Sequence, residues 1–156
     1  MIEPTVTAHR LEVAALSDDV EFLAARMRAV GTSIANLKLA PLNLRVRSYS
    51  VLALASVDLA PTQRELAEFL RLDPSQIVAI VDELETAGLV KREPDPTDRR
   101  SKTIVATQRG SEVYARAAAA ARESEREALA ALSDDETDQL RTLLRKVAFA
   151  ETPAAD

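Results

Sequence analysis

Apolar residues recur at helical spacing along most of this chain. Leu23, Met27, Val30, Ile34 and Leu37 follow one another in steps of four and three, which places all five on one stripe of a long helix. Ser17-Asp18-Asp19 predicts its start, with acids set against the positive end of the dipole. Ala40-Pro41 predicts its end, because proline disfavours helical geometry in the residue before it. A second helix is expected from Arg45 to Val57, with Val46, Tyr49, Leu52 and Leu54 as core candidates and Asp58 to Pro61 closing it.

Two short helices follow. Thr62-Gln-Arg-Glu65 fits a capping box, in which hydroxyl and carboxylate each accept from an orphan backbone N–H, and it opens a helix expected to bury Leu66, Phe69 and Leu70. Two residues later Asp73 can cap again, Pro74 suits the first helical position, and Gln76 is placed to complete a second box. Ile77, Ile80 or Val81, and Leu84 then form the inner stripe, leaving Ser75, Gln76 and Ala79 outward. Gly88 stands where a left-handed residue ends a helix.

Leu89 to Glu93 and Lys102 to Ala106 read as short strands, joined by the proline-bearing, charged segment Pro94-Asp-Pro-Thr-Asp-Arg-Arg-Ser101 that suits a hairpin tip. Thr107 then starts a long helix with Tyr114, Ala117, Ala118, Ala121, Ala128 and Leu132 on one face. Ser133-Asp-Asp-Glu136 is a third box, opening a last helix with Leu140, Leu143, Leu144 and Val147 inward. The expected fold is mainly α: a winged helix-turn-helix of about six helices plus a two-stranded β wing. Its parts are an N-terminal arm or short helix (1–16), a dimerisation helix (17–40), the winged domain (45–106), C-terminal dimerisation helices (107–150) and a tail (151–156).

Composition narrows the function. The chain is 47% hydrophobic but only 3% aromatic, which suits helices packed closely through small side chains. A net charge of -5 excludes wholesale attraction to phosphate, so any nucleic-acid contact must be local. From Lys91 to Arg109 six cations stand against three acids, a local excess of three positive charges. There is no cysteine, hence no disulfide, thiolate metal site or thiol sensor. His9 stands alone and reads as a spectator, and no cofactor is expected. With no signal-peptide pattern and no long apolar run, a soluble cytoplasmic protein is expected, with no membrane partner. A nucleophile with its base, a phosphate-cradling glycine loop and a metal cluster are all missing, which argues against an enzyme.

Tandem capped helices followed by a basic hairpin place the second helix in a major groove, N-terminus towards the base edges. Ser75, Gln76 and Ala79 are then the base-facing candidates, and Gln76 can pair bidentately with adenine. At the tip, Arg99 or Arg100 can enter a narrow minor groove, and Asp98 is expected to hold an arginine in a fixed pose by a charge-assisted hydrogen bond. Thr62 and Lys102 complete the DNA-facing set.

Leu66-Ala67-Glu68, Asp73-Pro-Ser-Gln-Ile77, Val81-Asp-Glu-Leu-Glu-Thr-Ala-Gly-Leu-Val90, Arg92, Asp95-Pro-Thr-Asp-Arg-Arg100 and Thr107-Gln-Arg-Gly110 together resemble the MarR family over nearly the whole chain. The resemblance implies a homodimer with intertwined first and last helices, two winged domains on a palindromic double-stranded operator, and often a small anionic or phenolic effector. It further implies Ser75 and Gln76 in the major groove, Arg100 in the minor groove with Arg99 in reserve, and Asp98 as organiser. Arg45 and Tyr49 are the candidates for an effector cleft. The chain departs from the family pattern at Ala79 and Glu83, where relatives frequently carry arginine, and lacks the residues of the thiol-, zinc- and urate-responsive branches. The expected function is a sequence-specific transcriptional regulator, a repressor released by a small molecule. The alternative is a winged-helix adaptor for protein contacts, supported by Ala79, Glu83 and the net acidity.

Overall fold

The computed structural model describes residues 11–12, 14–98 and 100–150. Most of the expected arm with His9, the tail 151–156, and Arg99 lie outside the described residues. A 3-10 turn at Ala15–Asp18 leads into α1 (Val20–Leu39), and a second at Ala40–Leu42 leads into α2 (Val46–Ala55). Then come α3 (Gln63–Leu70), α4 (Pro74–Thr86), β1 (Val90–Pro94), β2 (Lys102–Ala106), α5 (Gln108–Ala128) and α6 (Asp134–Ala148). These six α-helices and one antiparallel hairpin, with Val90 opposite Ala106 and Pro94 opposite Lys102, form a winged helix-turn-helix with long flanking helices.

One core gathers the winged part. Val51, Leu52 and Ala55 of α2, Leu66 and Ala67 of α3, and Ile77, Val81 and Leu84 of α4 meet Leu89, Val90 and Ile104 at the root of the hairpin, with Leu39, Leu44 and Ala117 closing the side towards α1 and α5. Polar ends are satisfied locally. The Asn36 carboxamide oxygen on α1 accepts from the Val46 N–H at 2.9 Å, so one helix caps the next. Thr62 and Glu65 form the expected box, Glu65 accepting from the Thr62 N–H at 2.7 Å and Thr62 from the Glu65 N–H at 3.2 Å. Ser133 and Glu136 form another.

The wing is bound to the helices at both edges. The Ile104 N–H donates to the Pro61 carbonyl at 2.8 Å, and Thr103 bridges to Thr62, so the chain entering α3 acts as a rudimentary third strand. Gly88, at φ 69, turns α4 into β1 in the left-handed conformation expected there. Thr107 caps α5 and its hydroxyl also donates to the Gly88 carbonyl at 2.7 Å. Gly110 lies so close to this turn that a Cβ on it would fall 1.9 Å from the Leu89 carbonyl oxygen.

Several expectations are corrected. α1 starts after Asp19, whose carboxylate accepts from the Phe22 N–H, not at Ser17, which the 3-10 turn has absorbed. β1 runs one residue later than predicted. Val51, not singled out from spacing, is fully buried beside Leu52, while Val46, Tyr49 and Leu54 pack half-buried against the core. Phe69 is not buried but 59% exposed, lying 6.0 Å from the ring of Phe149. Leu132 falls beyond the end of α5. The inward residues predicted for α6 have no interior to face within one protomer: Leu140 is half-buried, while Leu143, Leu144 and Val147 are exposed, as are Leu23, Met27, Val30 and Leu37 of α1.

Candidate nucleic-acid interface

The outer face of α4 is built by its cap and its inner stripe together. Asp73 accepts from the Ser75 N–H at 2.8 Å and also from the Ser75 hydroxyl, which holds the Asp73 carboxyl below its ordinary range. Gln76 completes no second box. The Asp73 cap is satisfied without it, and the carboxamide is exposed and unspent. With Ile77, Val81 and Leu84 anchored in the core, helix phase turns Ser75, Ala79 and Asp82 directly outward, and Gln76 and Val78 flank them.

Two aspartates build the wing tip. Asp95 accepts from the N–H groups of Thr97 at 2.7 Å and Asp98 at 3.3 Å, and from the Thr97 hydroxyl, so hydrogen bonding holds its carboxyl below the usual range. Asp98 in turn accepts from the Arg100 N–H at 3.0 Å, and its carbonyl receives the Ser101 N–H. Asp98 thus fixes the backbone of Arg100 and makes no ion pair with the Arg100 guanidinium, while Arg99, the other arginine it was expected to hold, lies outside the described residues. Arg100 is exposed, as is Lys102 at the start of β2.

Arg92 joins these two parts. Its guanidinium pairs with both Asp82 and Glu85 of α4, and its N–H donates to Glu85 at 3.2 Å. The two carboxylates raise its already high pKa, Asp82 most. This clamp ties the hairpin to the helix and neutralises two acids that would otherwise face a polyanion. Lys91 is paired with Glu93. Of the cations counted from sequence in this stretch, Arg100, Lys102 and Arg109 therefore remain without an ion pair among the described residues.

The structure brings Ser75, Gln76, Ala79, Asp98, Arg100 and Lys102 to the surface, and leaves Thr62 half-buried with its hydroxyl engaged by Glu65. Sequence reading missed the clamp, although acids three apart on α4 followed by an arginine just past a glycine turn were a usable signal. It also missed Val78, whose 43% exposure follows from helix phase.

The effector candidates separate. Arg45 lies at a cleft of about 500 Å³ between α1, the start of α2 and α4, lined also by Asn36, Gln76, Ala79, Ile80 and Glu83. Tyr49 is not among that lining; it stacks on Tyr114 with ring centres 6.2 Å apart, and burial raises its phenol pKa. A second, more apolar cleft of about 470 Å³ lies between α1, α5 and α6, where Met27, Leu140 and Leu144 are accompanied by Arg28, Arg141 and Arg145.

Comparison with known proteins places this architecture. A family model described as the MarR family matches residues 44–102. A MarR-family transcriptional regulator from Rhodococcus sp. RHA1 is 41% identical, with a TM-score of 0.80, covering 88% of this chain and 98% of its own. CouR from Rhodococcus jostii RHA1, solved with p-coumaroyl-CoA, is 43% identical with a TM-score of 0.78, covering 88% and 97%. A protein assigned as transcriptional regulator of the hcr operon in Thauera aromatica is 34% identical over 108 residues, 68% of this chain; the match spans just under two thirds, 65%, of that relative. The chain is a winged helix-turn-helix protein, and it belongs to the MarR family of transcriptional regulators.

Proposed function

We propose that the protein is a sequence-specific double-stranded DNA-binding repressor, acting as a homodimer on a palindromic operator and released by a small anionic or phenolic effector. The observation that carries this reading is the joint exposure of the Ser75, Gln76 and Ala79 face and of the Arg100 tip, held in one unit by Arg92. Near the start of α4 the exposed Gln76 carboxamide is free to meet a base edge, and the Arg100 side chain offers charge to a minor groove. Arg45 shares its cleft with Gln76 and Ala79, so a ligand held there meets the recognition helix directly. The p-coumaroyl-CoA bound to CouR supports an aromatic, acidic effector class.

The test is binding of the full chain to its own promoter region against random duplex over a range of salt. A sequence preference, weakened by Arg100→Ala and by added p-coumaroyl-CoA or p-coumarate, is expected. Equal affinity for every duplex would reject the regulator reading. Unchanged affinity in Arg100→Ala would favour a protein-binding adaptor, the reading to which the cation-free α4 lends its support.

A further inference from the structure

α4 carries no lysine or arginine anywhere from Pro74 to Thr86. Guanine shows the major groove two acceptors, N7 and O6, and is read best by a forked donor such as arginine. Here the outward donors are few. The Ser75 hydroxyl is spent on Asp73, and Thr86 stands at the far end of the helix. Asp82 and Glu85 are occupied by Arg92, and Glu83 can only accept. Gln76 alone keeps a free donor and acceptor near the N-terminus, the pair that matches adenine N7 and N6.

The next turn of this face, before Asp82, is apolar. Val78 and Ala79 lie three and four residues beyond Ser75, hence one turn further along the same surface. Val78 exposes 43% of its surface and Ala79 is likewise open. The apolar mark that DNA displays in the major groove is the thymine C5-methyl group. Resting on the regulator reading above, we propose that Val78 and Ala79 read thymine methyl groups while Gln76 takes an adenine, so that the half-site under each α4 is an A·T-rich step without a required guanine.

The experiment uses the full chain and the tightest duplex recovered from a pool of random-sequence DNA. Thymines of its half-sites are replaced one at a time by uracil, which removes the methyl group and leaves pairing intact. Loss of a buried methyl is expected to weaken binding about fourfold at the contacted positions. Val78→Ala, at an exposed position that leaves folding intact, is expected to bind more weakly and to lose its response to one of these replacements, while Val78→Ile retains it. A recovered site whose half-sites need guanine, or specific binding indifferent to every uracil, overturns the inference and leaves the regulator intact. Recovery of no preferred duplex overturns both, which separates the two failures.

Discussion

Gly110 shows how one residue can set a junction. A Cβ there would collide with the Leu89 carbonyl, an oxygen that already accepts from the Thr107 N–H at 3.0 Å and so cannot move away freely. Gly110→Ala is therefore expected to cost about 3 kcal/mol of stability, read by chemical denaturation, and a neutral result would mean the turn yields easily. Arg92 acts differently, since its partners are partly exposed and the pairs contribute little to folding. Arg92→Ala is expected to lower stability by only about 1 kcal/mol. It should weaken DNA binding far more, because Asp82 and Glu85 would then present two uncompensated charges to the duplex. Arg92→Lys should rescue incompletely, as a single ammonium cannot fork to both carboxylates. Equal losses of stability and binding free energy in Arg92→Ala would contradict this division.

The elements owe their limits to caps, and those were readable because capping is local. Thr62 with Glu65, Asp73 with Pro74, Gly88, and Ser133 with Glu136 each fixed a boundary from three or four adjacent residues. What was misread depended on helix phase or on distant partners: Phe69 was assigned inward on spacing alone, and Asn36 capping α2 from another helix left no local trace. The caps also predict an acid response. Glu65, Asp73, Asp95, Glu123 and Glu136 all have carboxyl pKa values lowered in the fold by hydrogen bonds or by Lys38. A lowered folded value means that their contribution is complete above the unfolded value, about 4, and is lost as pH falls through the folded values. Resistance to urea should accordingly hold from neutrality to about pH 5 and decline below it, with Thr62→Ala losing part of that slope. At the wing, Asp95→Ala is expected to lower the melting temperature only by the small share that its exposed tip bonds contribute, yet weaken DNA binding about fivefold, because the tip must then be ordered on binding. A matching fall in melting temperature would place Asp95 in the fold rather than in the interface.

At the scale of the whole molecule, the protomer leaves unfinished what its sequence pattern promised. The stripe of Leu23, Met27, Val30 and Leu37 on α1 and that of Leu143, Leu144 and Val147 on α6 were read as inward, yet every one of these side chains is exposed. The periodicity of such a stripe reports that a face will be covered; it carries no information on which chain covers it. α1 packs on α5, where Lys38 pairs with Glu123 and Glu127 at 3.0 and 2.9 Å, and the remaining apolar faces of α1 and α6 stay uncovered; in the homodimer proposed above a second copy covers them. Contiguous apolar surface of this kind marks an association site. Sedimentation of the full chain at micromolar concentration should therefore give a dimer, with a melting temperature that rises with concentration. Leu143→Glu with Val147→Glu, both at exposed positions and so harmless to the protomer's own core, should yield a folded monomer. That monomer should still recognise a single half-site weakly, and it should lose the gain that a palindrome gives the wild type through two linked contacts. If the double variant stays dimeric with unchanged affinity for a palindrome, α6 does not build the interface. A monomeric wild type with full operator affinity would remove the dimer altogether, and with it the reason for two winged units to meet DNA at a fixed spacing.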